Sequence, residues 1–152
     1  MSDDYNYIEE FLKDPEGCLD SFWDCEAVMW VDWRSEDDYI LDLFNERLAE
    51  EDQMVYEVSD GYDDIFIIRD GKKNRIPYKD TGWERDVTIR AAAECVQPKY
   101  QLRHFTGSAG TDGGAFCIIP TEEWQQLEER FGEEYTAKYF APVKPDSVIF
   151  GC

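Results

Sequence analysis

Few residues in this chain could do covalent or metal chemistry, and each can be set against the pattern that its chemistry requires. Histidine occurs once, as His104 in the stretch LRHFT. A single imidazole excludes HExxH sites and most histidine-containing zinc sites. The five cysteines, Cys18, Cys25, Cys95, Cys117 and Cys152, are widely spaced and contain no CxxC pair, so they point neither to an all-cysteine zinc site nor to a dithiol couple. His104 and Cys117 could form a base and nucleophile if they stand on neighbouring strands. A lone strand histidine is more often structural, and that role is expected here. Asp63 or Asp64 followed by Asp70-x-Lys72 has the residue types of a metal-dependent nuclease. That chemistry needs the second carboxylate and the lysine on a strand beside the first carboxylate. Asp70-Gly71 is instead a hairpin-turn signal, which places both side chains in solvent.

The stretch FTGSAGTDGGAFCIIP, residues 105–120, has the glycine content of a phosphate cradle, with four glycines in sixteen residues. A phosphate loop joins a strand to a helix, so that helix N-terminal amides face the anion. This loop lies between two apolar strand patterns, has no Lys or Arg between Gly107 and Phe116, and carries only Asp112 as a charge. Nucleotide binding is therefore not expected. The loop reads as a mobile connection that can mould to a protein partner. No catalytic residue, metal or cofactor is assigned, and the chain is not expected to be an enzyme.

The elements that would position any site are legible in part. DDYNYIEEFLKDPEG predicts a short helix ended by Asp14-Pro15, because the residue before proline is pushed out of the helical region. Residues 16–25 form a second helix with Leu19, Phe22 and Trp23 on one face, and residues 27–33 an apolar strand. SEDDYILDLFNERLAEED is the clearest helix. Ser35 would cap it, Glu36, Asp37 and Asp38 would fill its first turn, and Ile40, Leu43, Phe44 and Leu48 would form its buried stripe. QMVYEVS, DIFIIRD and KNRIPYK predict three strands, the last an edge because of Pro77. Residues 84–96 predict a helix with Val87, Ala91, Ala92 and Cys95 inward. YQLRHFT and AFCIIP are two further strands, Thr121 caps a helix through Phe131, residues 133–140 form another helix, and SVIF a last strand. Together these predict one α+β domain over residues 1–152. Its mostly antiparallel sheet has about five or six strands, with helices packed on it.

Charge is the strongest signal. The chain has 152 residues, 35 acids and 15 bases, a net charge of −20, with 43% hydrophobic and 15% aromatic content. That is enough apolar material to fold and too much for a disordered acidic tail. Residues 1–52 hold 18 acids against Lys13, Arg34 and Arg47, so −15 of the charge lies in the first third. Solubility alone does not need such asymmetry, and a saline-habitat protein would spread its acids evenly. Nucleic acid would be repelled, whereas a basic protein is complementary. No apolar run is long enough to span a membrane. The start MSDDYNYIEE has no signal-peptide pattern, so reduced cysteines and a cytoplasmic location are expected.

MWVDWRSEDDY interleaves Trp30, Trp33 and Tyr39 with carboxylates, the pairing of interface anchors and electrostatic steering. Trp30 and most of Trp33 are expected to be buried. The predicted partner-binding residues are Asp32, Trp33, Glu36, Asp37, Asp38, Asp42 and Glu46, with Tyr62, Asp63 and Asp64 as a second cluster. In size, acidity and lack of catalytic motifs the chain resembles bacterial immunity proteins of toxin-delivery systems, the polymorphic-toxin and contact-dependent inhibition type. The resemblance is one of type, with no family motif matched. It implies stoichiometric inhibition of a cognate basic, nuclease-type toxin domain. A DNA mimic would instead show carboxylates spaced like phosphates along a duplex. A small carboxylate- or Cys/His-dependent enzyme would show those groups converging in a pocket.

Overall fold

The computed structural model describes residues 2–32, 34–61, 64–78, 85–109, 111 and 113–150. Along the chain it forms α1 (Asp3–Lys13), α2 (Pro15–Trp23), β1 (Met29–Asp32), α3 (Asp37–Asn45), β2 (Val55–Val58), β3 (Ile65–Arg69) and β4 (Lys72–Arg75). Then follow α4 (Arg85–Val96), β5 (Tyr100–Phe105), β6 (Gly113–Pro120), α5 (Thr121–Phe131), α6 (Glu133–Tyr139) and β7 (Phe140–Pro142). The fold is α+β and antiparallel, but it has two sheets where one was expected: four strands in the order β1-β6-β5-β7, and three in the order β2-β3-β4. β1 does not join the strands that follow it. It pairs with the eight-residue β6, Met29 opposite Phe116, while α3 carries the chain away to start the second sheet.

The four-stranded sheet has an apolar cluster on each face. One joins Phe105, Ala115, Cys117 and Ile119 to α1, α2, α5 and α6. The other joins Met29, Val31, Leu102, Phe116 and Ile118 to α3, α4 and the inner residues Ile65 and Ile67 of the small sheet. α4 therefore lies between the two sheets, and it is buried on more sides than a single stripe. Asp86, Val87, Thr88, Ile89, Ala92, Ala93 and Val96 are all buried, while the predicted Ala91 and Cys95 are only half-buried. A run of three alanines suits this position, since small side chains let both sheets approach.

Several local expectations hold for the stated reason. α1 stops at Lys13 before Asp14-Pro15. Asp70 (φ 54°) and Gly71 (φ 76°) make the two-residue turn between Arg69 and Lys72, both in the left-handed region that a type I′ hairpin requires. β4 is an edge strand, and Pro77 falls beyond its end. Others are corrected. Leu19 is exposed. Leu41 takes the place of Leu43 in the buried stripe of α3. Ser35 does not cap α3, because its Oγ accepts from the Asp32 amide at 3.0 Å and Glu36 takes the cap position. Thr121 does not cap α5, because its hydroxyl donates to the Pro98 carbonyl at 2.7 Å. SVIF is not a strand; the amides of Ile149 and Phe150 donate to the Asp86 carboxyl at 3.1 and 2.9 Å, and the last strand is β7.

The glycine-rich segment joins β5 to β6, as its pattern predicts. Its described residues are more ordered than a slack connection. Ser108 is fully buried, its hydroxyl donates to the Phe105 carbonyl at 2.6 Å, and it accepts from the Ala115 amide at 3.0 Å. Gly107 is needed there, since a Cβ would lie 2.8 Å from the Phe105 ring. Among the described residues, no helix is long and apolar enough to cross a membrane.

Phe11 is the hub of the helical side. It is 2% exposed and lies 4.8–5.7 Å, ring centre to ring centre, from Phe22, Phe105, Tyr139 and Phe140. Replacing it with alanine should lower the unfolding free energy by about 3–5 kcal/mol, read as a fall in the urea midpoint at unchanged m-value.

Candidate functional site

The acidic segment folds so that only part of it meets solvent. α3 turns Ile40, Leu41 and Phe44 inward, which leaves Asp38, Asp42 and Glu46, four residues apart, along its outer side with Tyr39 beside them. Asp42 and Glu46 are exposed and Asp38 is half-buried. Tyr39 is 52% exposed, a large aromatic surface left open to water. Glu36 is exposed at the N-terminal end of the helix. Glu36 and Tyr39 border a shallow hollow of about 430 Å³ together with Asp32, Arg34 and Ser35.

β2 extends this surface. Tyr56 donates its hydroxyl to Asp42 Oδ1 at 2.6 Å and thereby ties α3 to the small sheet. Burial and the neighbouring Asp42 push its phenol pKa far up, so it stays a donor. Next to it Val55 is 58% exposed on an edge strand. Neither residue was among those predicted. The alternation in QMVYEVS indicates a strand, but only the packing of β2 beside α3 brings Tyr56 to this face; Val55, paired with Ile68, belongs to the other face of the small sheet.

The remaining predicted residues are distributed differently. Asp37 is fully buried and is corrected from a partner contact to an internal group. Thr88 Oγ1 donates to Asp37 Oδ1 at 2.5 Å. A threonine has one hydroxyl proton, so at the 2.6 Å contact between Tyr78 Oη and Thr88 Oγ1 the tyrosine is the donor. Tyr78, Thr88 and Asp37 thus form a directed chain that fastens the start of α3 to α4. Asp32 is bound by Arg34, whose Nε donates to Asp32 Oδ1 at 3.2 Å; that hydrogen bond holds the carboxyl below its ordinary range. Asp64 pairs with Arg75 Nε at 2.7 Å on the small sheet. Trp33, Tyr62 and Asp63 lie outside the described residues. Trp30, expected to be buried, is half-buried: its ring centre is 4.8 Å from that of Trp23, and its Nε1 donates to the Trp23 carbonyl at 3.1 Å.

The groups weighed for catalysis do not converge. Register sets Arg103 opposite Cys117 and His104 opposite Phe116. Cys117 therefore belongs to the helical face of the large sheet and His104 to the opposite one. Burial raises the Cys117 thiol pKa well above its ordinary value. His104 Nε2 lies 3.2 Å from Ser108 Oγ, and its ring centre 5.2 Å from that of Phe116. Asp70 and Lys72 are exposed at the hairpin. Among the described residues, no group of three or more His, Cys, Asp or Glu is placed to hold a metal ion.

Two measurements separate internal from external groups. Asp37→Ala should cost about 1.5–3 kcal/mol of stability, because it removes a buried hydrogen-bonded acid, whereas Asp38→Ala should stay within about 0.5 kcal/mol of the parent. Urea denaturation of the two variants checks this. His104 supplies the second test. Burial holds its pKa below 6.5, with Asp86 pulling the other way. The unfolded chain then takes up the proton first as pH falls, so the stability due to neutral His104 is complete above about 6.5 and is lost below it. Between about pH 7.5 and about pH 5.5 the urea midpoint should drop further in the parent than in His104→Gln.

No family model matches the chain, and no curated protein and no solved structure does either.

Proposed function

We propose that the protein is a stoichiometric inhibitor of a basic protein, and that its partner is a nuclease-type toxin domain which it neutralises as an immunity protein. The observation that carries this reading is the outer face of α3, where Glu36, Asp38, Asp42 and Glu46 surround the open ring of Tyr39. Carboxylates on a regular helix face speed encounter with a basic surface, and the exposed aromatic among them supplies the apolar contact that slows dissociation. The concentration of acid in residues 1–52 strengthens the same field. A basic nuclease offers the complement, because the surface that normally meets phosphate is lined with Lys and Arg.

The test is a basic nuclease-type effector domain offered as partner, measured by surface-bound association kinetics at low and moderate salt. The association rate should fall steeply with salt, and the charge reversal Asp38→Lys/Asp42→Lys/Glu46→Lys should slow it by about tenfold or more. Tyr39→Ala should act mainly on dissociation. A complex whose association ignores both salt and the charge reversal would refute the steering role of α3. Failure of the chain to block the effector's activity at equimolar ratio would refute the inhibitor reading itself.

A further inference from the structure

A second site stands apart from the acidic face, where the small sheet meets α4. A hollow of about 300 Å³ opens there over an apolar floor of Ile67, Ile76, Ala91 and Cys95, with Pro77 at its side. The strand register explains it. Ile67 is paired with Asn74, so Ile67 and Arg69 of β3 share a sheet face with Asn74 and, two residues on, Ile76. α4 meets that face with the short side chains of Ala91 and Cys95, which leaves the space unfilled.

The segment beside the hollow is locally basic. Residues 69–75 hold Arg69, Lys72, Lys73 and Arg75 against the single acid Asp70, in a chain where acids outnumber bases 35 to 15. Lys73 is neutralised by Glu57 at 2.6 Å. Arg75, paired with Phe66, belongs to the other face of the sheet, where its Nε donates to Asp64 at 2.7 Å. Arg69 donates one Nη2 bond to the Gln97 carbonyl at 3.0 Å and, among the described residues, makes no ion pair. Glu94 also lines the hollow and makes no ion pair with Arg69.

We propose that this hollow binds a small organic carboxylate with an apolar body. Arg69 takes the headgroup, since its planar guanidinium donors match the two oxygens of a carboxylate. Asn74 adds a carboxamide at the rim, and the body lies on Ile67, Ile76, Pro77 and Ala91. The apolar floor favours an organic acid over a bare inorganic anion. A monoanion also meets less repulsion than a phosphate from a molecule of net charge −20. The site uses no residue of the α3 face and is independent of the inhibitor reading.

Benzoate is the probe, with benzyl alcohol as its neutral counterpart and inorganic phosphate at matched ionic strength. In ¹⁵N-labelled protein, benzoate should produce saturable shifts at amides 67–69, 74–76 and 91–95, and benzyl alcohol should not. Arg69→Gln should weaken benzoate binding by about fivefold or more, and Ala91→Phe, which fills the hollow without altering charge, should abolish it. A readout on the unaltered protein guards against misfolding of the filled variant: alkylation of the Cys95 thiol by iodoacetamide should slow with benzoate and not with benzyl alcohol. Four results would each overturn the assignment. They are equal shifts from benzyl alcohol, tighter saturation by phosphate, parent-like binding in folded Ala91→Phe, and a Cys95 alkylation rate that benzoate leaves unchanged.

Discussion

The enclosure of α4 between two sheets is the constraint on which the other features rest. A helix buried on most sides must be built of small and apolar residues, and any polar group on it must find an internal partner. Asp86 and Thr88 are the two buried polar residues of α4. Asp86 accepts from the amides of Ile149 and Phe150, which fixes the C-terminal segment. Thr88 receives a proton from Tyr78 and donates its own to Asp37, which fixes the segment after β4 and the start of α3. Leaving such a group unmatched costs about 1–3 kcal/mol, so these bonds select one packing among many that would bury similar apolar area. Both candidate surfaces are built outward from this helix, since α3 leans on it and Ala91 and Cys95 floor the hollow.

On the other side of the large sheet a different device absorbs charge. Arg103 is 3% exposed, lies with its guanidinium 4.5 Å from the centre of the Trp124 ring, and pairs with Glu128 at 2.8 Å. Its remaining donors reach Gln101 Oε1 at 2.8 Å and the Phe140 carbonyl at 3.3 Å. Burial lowers its pKa, and Glu128 works against that shift. A cation in the interior of so acidic a chain is held by geometry and by several acceptors at once, and removing one partner would leave a buried charge without compensation. The exposed ion pairs, such as Lys13 with Glu10 and Lys73 with Glu57, are of the kind that contributes little to stability. Asp37 and Asp42 of α3 have internal hydrogen-bond partners, whereas Glu36, Asp38 and Glu46 make no ion pair among the described residues and leave their charge for an external cationic partner.

Most element types followed from periodicity and punctuation alone. The proline after Asp14, the Asp-Gly hairpin and the apolar stripe of α3 each act through neighbours a few residues away, and such effects are written in the sequence. The order of β5, loop and β6 was equally accessible. The concentration of carboxylates along residues 32–46 was also visible, because composition does not depend on folding.

What the tertiary structure decided was which carboxylates face water and which strands pair. Asp37 and Asp38 are adjacent acids in the same first turn. One is sealed against Thr88 and the other is half-open, because α4, about fifty residues later in the chain, lies against only one of them. The pairing of β1 with β6 splits the strands into two sheets, and it is a contact between segments more than eighty residues apart. The cap assigned to Thr121 failed for the same reason, since its hydroxyl found the Pro98 carbonyl on another segment. The opposed faces of His104 and Cys117, the arrival of Tyr56 beside α3, and the hollow rimmed by Arg69 and Asn74 all come from register and layer packing. Local sequence sets which residues can bury or cap; only the closed fold sets what each of them meets.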